Sequence, residues 1–353
     1  MRLLKKANWF LIILPLLIFS LGGVTLFSTS PNLISNQMQF FFVGLIVFIV
    51  VSLIDYELLK PVWKHIYVVI LVLLILLFVF GQTLFGSTRW FEIGSFTFQP
   101  SEFAKVGVII TLATLLSMNK SSVHSFKYLL KVLALIAPLF ICVFLQPDLG
   151  TSLIILAITA GVLWFAGLNK SYYLIGLVVL GVFSAPLWNI LKDYQKERIL
   201  VFLNPSLDIL GSGYNVIQST IAVGSGGFLG RGFGHGTQSH LQFLPVHWTD
   251  FIFAAFAEEW GFIGVIGLLF MYFGLLWLIL NVALKVKSTY GSLICIGVFI
   301  VFFLQFTINV GMNMGIMPVT GIPLPLVSYG GSSLVSSMIM LGLVNSVWIH
   351  RKV

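Results

Sequence analysis

The sequence predicts an all-α polytopic membrane protein, and three observations carry this prediction. The 353 residues are 59% hydrophobic and only 8% charged, whereas ordinary soluble domains contain about 25% charged residues. Apolar runs of about 20 residues, the length with which an α-helix crosses a bilayer, recur along the chain. Basic residues concentrate in alternate loops, as the positive-inside rule requires. We therefore expect one integral membrane domain over residues 1–353.

Ten apolar segments qualify as spans. The sixth is short, and the eighth is long enough to tilt or to extend beyond the bilayer. The first follows a basic start and lacks a convincing cleavage site, which favours an uncleaved signal anchor. The predicted spans are 8–28, 37–54, 62–81, 102–118, 129–146, 150–167, 172–191, 250–280, 291–312 and 331–349.

The basic residues also predict the orientation. With both termini in the cytoplasm, the inner face holds 13 of the 19 Lys and Arg but only 2 of the 11 acids, Asp55 and Glu57. The long loop 192–249 then lies outside, where a cysteine at Ser239 is expected to react with an impermeant maleimide. The inner basic residues are Arg2, Lys5, Lys6, Lys60, Lys64, Lys120, Lys127, Lys131, Lys170, Lys285, Lys287, Arg351 and Lys352.

Composition and motifs exclude several functions. The positive charge is explained by topology, so nucleic-acid binding is not needed to account for it. Cys142 and Cys295 fall inside predicted spans and are expected to be core residues rather than a disulfide or metal pair. The sequence contains no Gly-x-x-x-x-Gly-Lys-Ser/Thr loop, so we expect no nucleotide cofactor bound in that manner.

Asp250 is the most informative residue, because it stands where a glycine-rich segment meets the eighth span. A carboxylate at a bilayer edge is poorly solvated on one side, so its charge is costly unless it is used. The structural alternative is a helix N-cap. Eight residues on, Glu258 is expected to pair with a buried cation rather than to touch substrate.

The third loop and the start of the fourth span carry further polar residues. Alternation around Gly94 and Ser95 predicts a small β-hairpin. Glu102 and Lys105, at i and i+3, form either a structural ion pair or the lining of a polar pocket. Asp148, in the turn before the sixth span, is either an N-cap or part of an anion site at that helix end.

The long loop 192–249 begins with an amphipathic stretch over 192–203 that is suited to a membrane surface. Seven glycines between Gly224 and Gly236 predict backbone N–H groups that face an anion, with Arg231 as a fixed cation. The alternative is a flexible loop. His235, His240 and His247 match no tight metal-binding spacing.

The last outer loop is predicted to line a functional site. Pro318, Pro323 and Pro325 forbid a regular helix, yet most of their neighbours are apolar. Non-helical backbone at membrane depth survives only where protein buries it or where it lines a cavity. We therefore predict a re-entrant segment over 313–330.

These segments together resemble one family. Its motifs are Arg89-Trp90, Gln99-Pro100-Ser101-Glu102 with Lys105, Gln146-Pro147-Asp148-Leu149-Gly150, Tyr194-Gln195 with Arg198-Ile199, Thr249-Asp250-Phe251-Ile252-Phe253 with Glu258-Glu259, and the stretch from Pro318 to Ser333. In this order and spacing they resemble the SEDS family of bacterial shape, elongation, division and sporulation proteins, which comprises RodA, FtsW and SpoVE. The short tails are most similar to those of RodA.

The resemblance implies a ten-helix glycosyltransferase that polymerises Lipid II into glycan strands on the outer face of the bacterial cytoplasmic membrane, for elongation and cell shape. It implies a class B penicillin-binding protein as the transpeptidase partner. The family's essential acid corresponds to Asp250, and its other conspicuous polar positions correspond to Arg89, Glu102, Lys105, Asp148 and Arg198. The chain departs from the family at Val246 and Trp248, where members commonly carry Glu and His.

The chemistry suggests roles for these residues. Glycan extension requires a base near the acceptor hydroxyl and cations near the departing pyrophosphate. Asp250 is the candidate base, or it orients a divalent cation such as Mg²⁺ or Mn²⁺. The candidate substrate-binding residues are Arg89, Glu102, Lys105, Asp148, Arg198, Arg231 and Ser328.

Two other classes of protein fit parts of the sequence. A flippase for the lipid-linked precursor also carries intramembrane charges and broken helices. Against it, the polar residues gather on one face, and the sequence shows no inverted repeat. A scaffold that only docks a transpeptidase would leave the outer charges unexplained.

Overall fold

The computed structural model describes residues 7–84, 87–93, 96–119, 123–182, 186, 188–189, 191–208, 211–241, 243–244 and 246–351. Within this part of the chain, eight helices are long and apolar enough to cross a membrane. Two shorter apolar helices follow the fifth of them. The ten helices stand at the places of the ten predicted spans, so the chain is a multi-pass membrane protein.

The helices are α1 (Phe10–Thr29), α2 (Pro31–Leu53), α3 (Leu59–Phe80), α4 (Pro100–Met118), α5 (Phe126–Leu145), α6 (Leu149–Phe165), α7 (Lys170–Val182), α8 (Asp193–Leu203), α9 (Ser212–Ser225), α10 (Thr237–His240), α11 (Ile252–Lys285), α12 (Thr289–Asn313) and α13 (Gly331–His350). Short 3-10 helices cover Tyr56–Leu58 and Pro205–Asp208. The predicted seventh span continues to residue 191, and residues 183–185, 187 and 190 of it lie outside the described part.

Three helices form the centre of the bundle. Each helix contains an apolar stretch of 18 residues. The buried share of this stretch is 78% in α4, 72% in α13 and 61% in α12. The corresponding share is 22% for α2 and α5, whose remaining apolar surface faces outward. Cys295 is buried, as predicted for a core residue, whereas Cys142 is partly exposed.

A three-stranded antiparallel sheet separates α3 from α4. Its strands are β1 (Gln82–Leu84), β2 (Ser87–Ile93) and β3 (Phe96–Phe98), in that spatial order. The pairing of β2 with β3 confirms the predicted hairpin, whose two turn residues, 94 and 95, lie outside the described residues. The sequence did not predict β1.

The eighth span contains a break. At Gly261 the backbone is non-helical, with φ 62° and ψ −165°, so α11 consists of two helical pieces. The break leaves the carbonyls of Glu258 and Glu259 without their usual helical donors. The N–H groups of Arg231 and Gly232 take their place, each with an N···O distance of 3.0 Å.

The glycine-rich run is therefore packed onto α11. A Cβ on Gly230 would lie 2.1 Å from the Glu259 carbonyl oxygen, so only glycine allows this approach. In return, the N–H of Phe262 donates to the Gly227 carbonyl at 3.0 Å. The predicted anion-binding nest is wrong at Arg231 and Gly232, because their N–H groups are already bonded to protein.

The segment between α12 and α13 contains no regular helix or strand over 314–330. Leu324, Leu326 and Val327 are all buried within it. Tyr272 of α11 donates a hydrogen bond to the Pro325 carbonyl. A Cβ on Gly22 of α1 would lie 2.7 Å from the Val327 Cα. The segment thus enters the bundle between α1 and α11, where protein atoms satisfy its free backbone groups.

Candidate functional site around Asp250

Asp250 lies in the turn before α11, and the re-entrant segment supports this turn. The Ser328 hydroxyl donates to the Thr249 carbonyl at 2.7 Å and accepts from the Leu324 N–H at 2.8 Å. Ser328 is therefore occupied in joining the two segments. Its predicted contact with substrate stays a prediction.

The interpretation of Asp250 as a helix N-cap is wrong. The N-cap of α11 is Phe251, which makes no side-chain cap. The N–H of Ala254 in the first turn donates instead to Asn313 Oδ1 on α12, at 3.1 Å. A different helix thus supplies the cap, and the Asp250 carboxylate is left for another role.

Burial and most of the neighbouring charged and polar groups act in opposite directions on the pKa of Asp250. Loss of water around the side chain raises the pKa of Asp250 above its ordinary value of 3.8. Arg198 opposes this shift most strongly, followed by the Thr249 hydroxyl and Arg89, while Asp148 reinforces it. A raised pKa makes a carboxylate a stronger base, which suits proton abstraction from a hydroxyl.

A small space separates Asp250 from Arg198. Gly321 in the re-entrant segment adopts φ 74°, and a Cβ there would lie 3.6 Å from Asp250 Oδ2 and 4.0 Å from Arg198 Nη1. The carboxylate and the guanidinium therefore border the same space above the Gly321 backbone. A hydroxyl placed there would meet both a base and a cation.

Asp148 is both a helix cap and a charged partner. It is 3% exposed, and its Oδ1 accepts from the Thr151 N–H at 3.2 Å, which confirms the N-cap prediction. Its Oδ2 accepts from the Ser101 hydroxyl at 3.0 Å, and Arg89 Nη1 lies 3.8 Å from Oδ1. Asp148 thus holds Arg89 within electrostatic range of Asp250.

Glu102 and Lys105 form a buried ion pair in α4. The distance from Lys105 Nζ to Glu102 Oε2 is 2.8 Å, and the two residues are 0% and 2% exposed. Ser336 of α13 donates to the same Oε2 at 3.1 Å. The pair sits next to Ser101 but is enclosed by protein, so the structure shows the predicted ion pair. Its contact with substrate stays a prediction.

Arg231 and Glu258 lie away from Asp250. Glu258 stands six residues, roughly 9 Å, beyond the start of α11. Its carboxylate accepts from Thr237, Gln238 and Ser239 of the long loop at 3.0 to 3.4 Å. The expectation that it pairs with a cation is wrong, because these neutral donors cap α10. The exposed guanidinium of Arg231 donates to Ser225 and Thr237, and its role toward pyrophosphate stays a prediction.

The three histidines are held in separate places. His240 Nε2 lies 3.2 Å from Glu259 Oε1, His247 contacts the Ser30 hydroxyl at 3.1 Å, and His235 contacts the Phe233 carbonyl. Among the described residues, no group of three or more His, Cys, Asp or Glu is arranged to hold a metal ion. Near Asp250, the Asp148 carboxylate is already shared with Arg89.

The fold thus brings together four of the predicted residues, Asp250, Arg198, Arg89 and Asp148. Sequence reasoning missed Asn309 and Asn313 of α12, which bond to the Asp250 main chain. Their signal was available: two amides at i and i+4 in an apolar span share one helix face and require partners.

Comparison with known proteins decides the family. The family model described as cell cycle protein, for FtsW, RodA and SpoVE, matches residues 2–353. The chain belongs to the FtsW/RodA/SpoVE family. Members similar to it include the peptidoglycan glycosyltransferase MrdB of Escherichia coli K12, 38% identical over 97% of this chain and 93% of the relative. The stage V sporulation protein E of Bacillus subtilis is 34% identical over 96% and 95%.

Solved structures of the FtsW/RodA/SpoVE family share the fold. A chain from a peptidoglycan synthase complex that coordinates polymerisation and crosslinking superposes with a TM-score of 0.83, at 36% identity and 97% coverage of both chains. The rod shape determining protein RodA of Thermus thermophilus gives a TM-score of 0.74, at 32% identity and 98% coverage of both. The predicted resemblance is therefore confirmed.

Replacing Arg198 by Gln is expected to slow the family's polymerisation reaction by about 10²-fold, since it removes a preorganised cation next to the reacting groups. Arg198 lowers the pKa of Asp250, so its loss should raise that pKa and move the acid limb of the rate profile to higher pH. The measurement is the rate as a function of pH. Lys196→Gln on the same helix is the control. An unchanged acid limb in Arg198→Gln would contradict the effect of Arg198 on the pKa of Asp250.

Proposed function

We propose that the chain is a peptidoglycan glycosyltransferase that polymerises Lipid II into glycan strands. One observation carries the proposal: the Asp250 carboxylate and the Arg198 guanidinium border the same small space next to Gly321 inside a membrane protein. The names of the relatives support the same activity, since MrdB is described as a peptidoglycan glycosyltransferase.

In the proposed reaction, Asp250 removes the proton from the 4-hydroxyl of the acceptor sugar. The resulting oxygen forms a bond to the anomeric carbon of the donor, and the bond from that carbon to the lipid pyrophosphate breaks. The pyrophosphate leaves with the electron pair, and Arg198 and Arg89 stabilise its negative charge. The proton remains on Asp250 until it passes to solvent.

A divalent cation, Mg²⁺ or Mn²⁺, is a further part of the proposal. Asp250 borders the space over Gly321, so it would hold the cation together with pyrophosphate oxygens supplied by the substrate. Such a cation would neutralise charge on the leaving group. Titration of the apo protein with each metal, followed by the polymerisation rate, tests this part.

We further propose that the site opens to the outer face of the cytoplasmic membrane, with both termini inside, and that a class B penicillin-binding protein crosslinks the product. The distribution of basic residues supports the orientation. The similarity to a chain of a synthase complex that couples polymerisation to crosslinking supports the partner.

Single-turnover incubation of the purified protein with Lipid II in detergent tests the function. An enzyme makes glycan strands without a second compartment, whereas a flippase or a scaffold makes none. Glycan formation that is lost in Asp250→Asn is the expected result. Absence of glycan from the folded wild-type protein in complex with its transpeptidase would exclude the proposal.

The orientation predicts that the long loop is labelled from outside. Ser239 is unsuitable for this test, because it is only 1% exposed and bonds to Glu258. The exposed His235 replaces it. In a protein with Cys142 and Cys295 changed to Ala, His235→Cys should react with an impermeant maleimide in intact spheroplasts.

Lys287→Cys, exposed in the turn between α11 and α12, is the control for the inner face. It should react only after lysis. The reverse pattern would overturn the orientation.

A further inference from the structure

Two asparagines of α12 hold the main chain at Asp250. Asn309 and Asn313 are both 0% exposed. Their Nδ2 groups donate to the same acceptor, the Asp250 carbonyl oxygen, at 3.1 and 2.9 Å. One carbonyl with two buried amide donors is fixed in both position and direction, since the low dielectric of the interior strengthens each bond.

Each asparagine also binds a second segment of the site. Asn309 Nδ2 donates to the Ile322 carbonyl at 2.8 Å, directly after Gly321 in the re-entrant segment. Asn309 therefore ties together the two backbones that border the space next to the Asp250 carboxylate.

Asn313 makes the corresponding links on the other side. Its Oδ1 accepts from the Ala254 N–H at 3.1 Å. The Ser219 hydroxyl of α9 donates to the Asn313 main-chain carbonyl at 2.8 Å and lies 3.3 Å from Oδ1. The Asn313 side chain thereby sets the direction in which α11 leaves the turn, and its main chain joins α12 to the long loop. Asn313 Nδ2 also donates to the main-chain carbonyl of Asn309 at 2.8 Å.

We propose that Asn309 and Asn313 are positioning residues for glycosyl transfer, which hold Asp250 and Gly321 at the separation that the reacting hydroxyl requires. The inference rests on the proposed role of Asp250 as the base. Neither amide lies within 4 Å of a Cβ placed on Gly321, so they act through the main chains of Asp250 and Ile322. A displacement of about 1 Å at a reacting group lowers a rate by about 10²-fold.

The test compares Asn309→Ala and Asn313→Ala with Asn345→Ala. Asn345 is also a buried asparagine of a central helix, 2% exposed, and it accepts from the Asn8 N–H far from Asp250. Polymerisation of Lipid II is measured as kcat, KM and a rate profile against pH. Melting temperature in detergent reports the general effect of losing a buried amide.

For both site variants kcat should fall by about 10- to 10²-fold with KM within about threefold of wild type. The acid limb should move to higher pH, because a displaced Asp250 is less stabilised by Arg198. Asn345→Ala should lower the melting temperature by a similar amount and leave kcat and the acid limb unchanged. If an alanine variant does not fold, Asn309→Ser or Asn313→Ser, which keeps a donor, is measured for partial recovery of kcat.

Wild-type kcat and acid limb in the asparagine variants, with Asp250→Asn inactive, would overturn the inference and leave the proposed base in place. Polymerisation by Asp250→Asn would overturn the proposed base itself, and the inference with it. The two failures are therefore distinguished in a single series.

Discussion

Asp250→Asn is expected to abolish polymerisation of Lipid II while the protein stays folded. The substitution keeps the size of the side chain and removes the basic oxygen, and a general base contributes about 10²–10⁴-fold in rate. A carboxylate that holds a cation would contribute at least as much. Since the carboxylate does not cap α11, loss of helix stability is not expected to confuse the result.

The measurement is the rate of glycan formation, together with the melting temperature and with binding of the proposed transpeptidase partner. Asp193→Asn is the matched control, because Asp193 is an exposed acid of the same loop in the first turn of α8. It should polymerise at the wild-type rate. A near wild-type rate in Asp250→Asn would move the search for the base to Asp148 or Glu102.

The wild-type enzyme should also lose activity as the pH falls. The pKa of Asp250 is raised, so its carboxylate takes up a proton at a pH above 3.8 and can no longer act as a base. The acid limb of the rate profile should therefore lie above that value. An acid limb at or below pH 3.8 would show that a different group titrates.

Breaking the buried pair of Glu102 and Lys105 is expected to have the second large effect. Removal of one partner leaves a charge without compensation in the bundle centre, which destabilises a protein by about 3–5 kcal/mol. Glu102→Gln and Lys105→Met should each show this loss. The double variant should regain a large part of it, because no isolated charge remains.

A double-mutant cycle on the free energy of unfolding in mixed micelles gives the coupling energy between Glu102 and Lys105. The matched control is Glu57 with Lys60, the same residue types at the same i, i+3 spacing. This pair is 3.9 Å apart, with side chains 42% and 33% exposed, and exposed pairs contribute under about 1 kcal/mol. Equal coupling in the two cycles would show that burial gives the Glu102–Lys105 pair no special role.

Parts of the site were predictable because they depend on local chemistry. Asp250 could be identified from the sequence because a charged carboxylate next to an apolar span costs free energy, whichever helices pack around it. The cap at Asp148 followed from its place before α6, and the pair Glu102–Lys105 from helical spacing. The errors have one origin: the partners of Arg231, Glu258 and Ser239 lie on segments that only the fold brings together.

The sequence by itself determined the membrane class, the places of the spans, the β2–β3 hairpin and the proline-broken segment. The reason is that hydrophobic transfer, helix length and the missing N–H of proline act within about 20 residues.

The tertiary structure alone decided which polar groups meet. It placed Arg198 beside Asp250 over Gly321, folded the glycine-rich run onto the break at Gly261, and brought Asn309 and Asn313 to the Asp250 carbonyl. Asn309 and Asn313 are 59 and 63 residues from Asp250 along the chain. At such separations a buried amide requires a partner, but composition and periodicity do not specify which one, because the choice is made by helix packing.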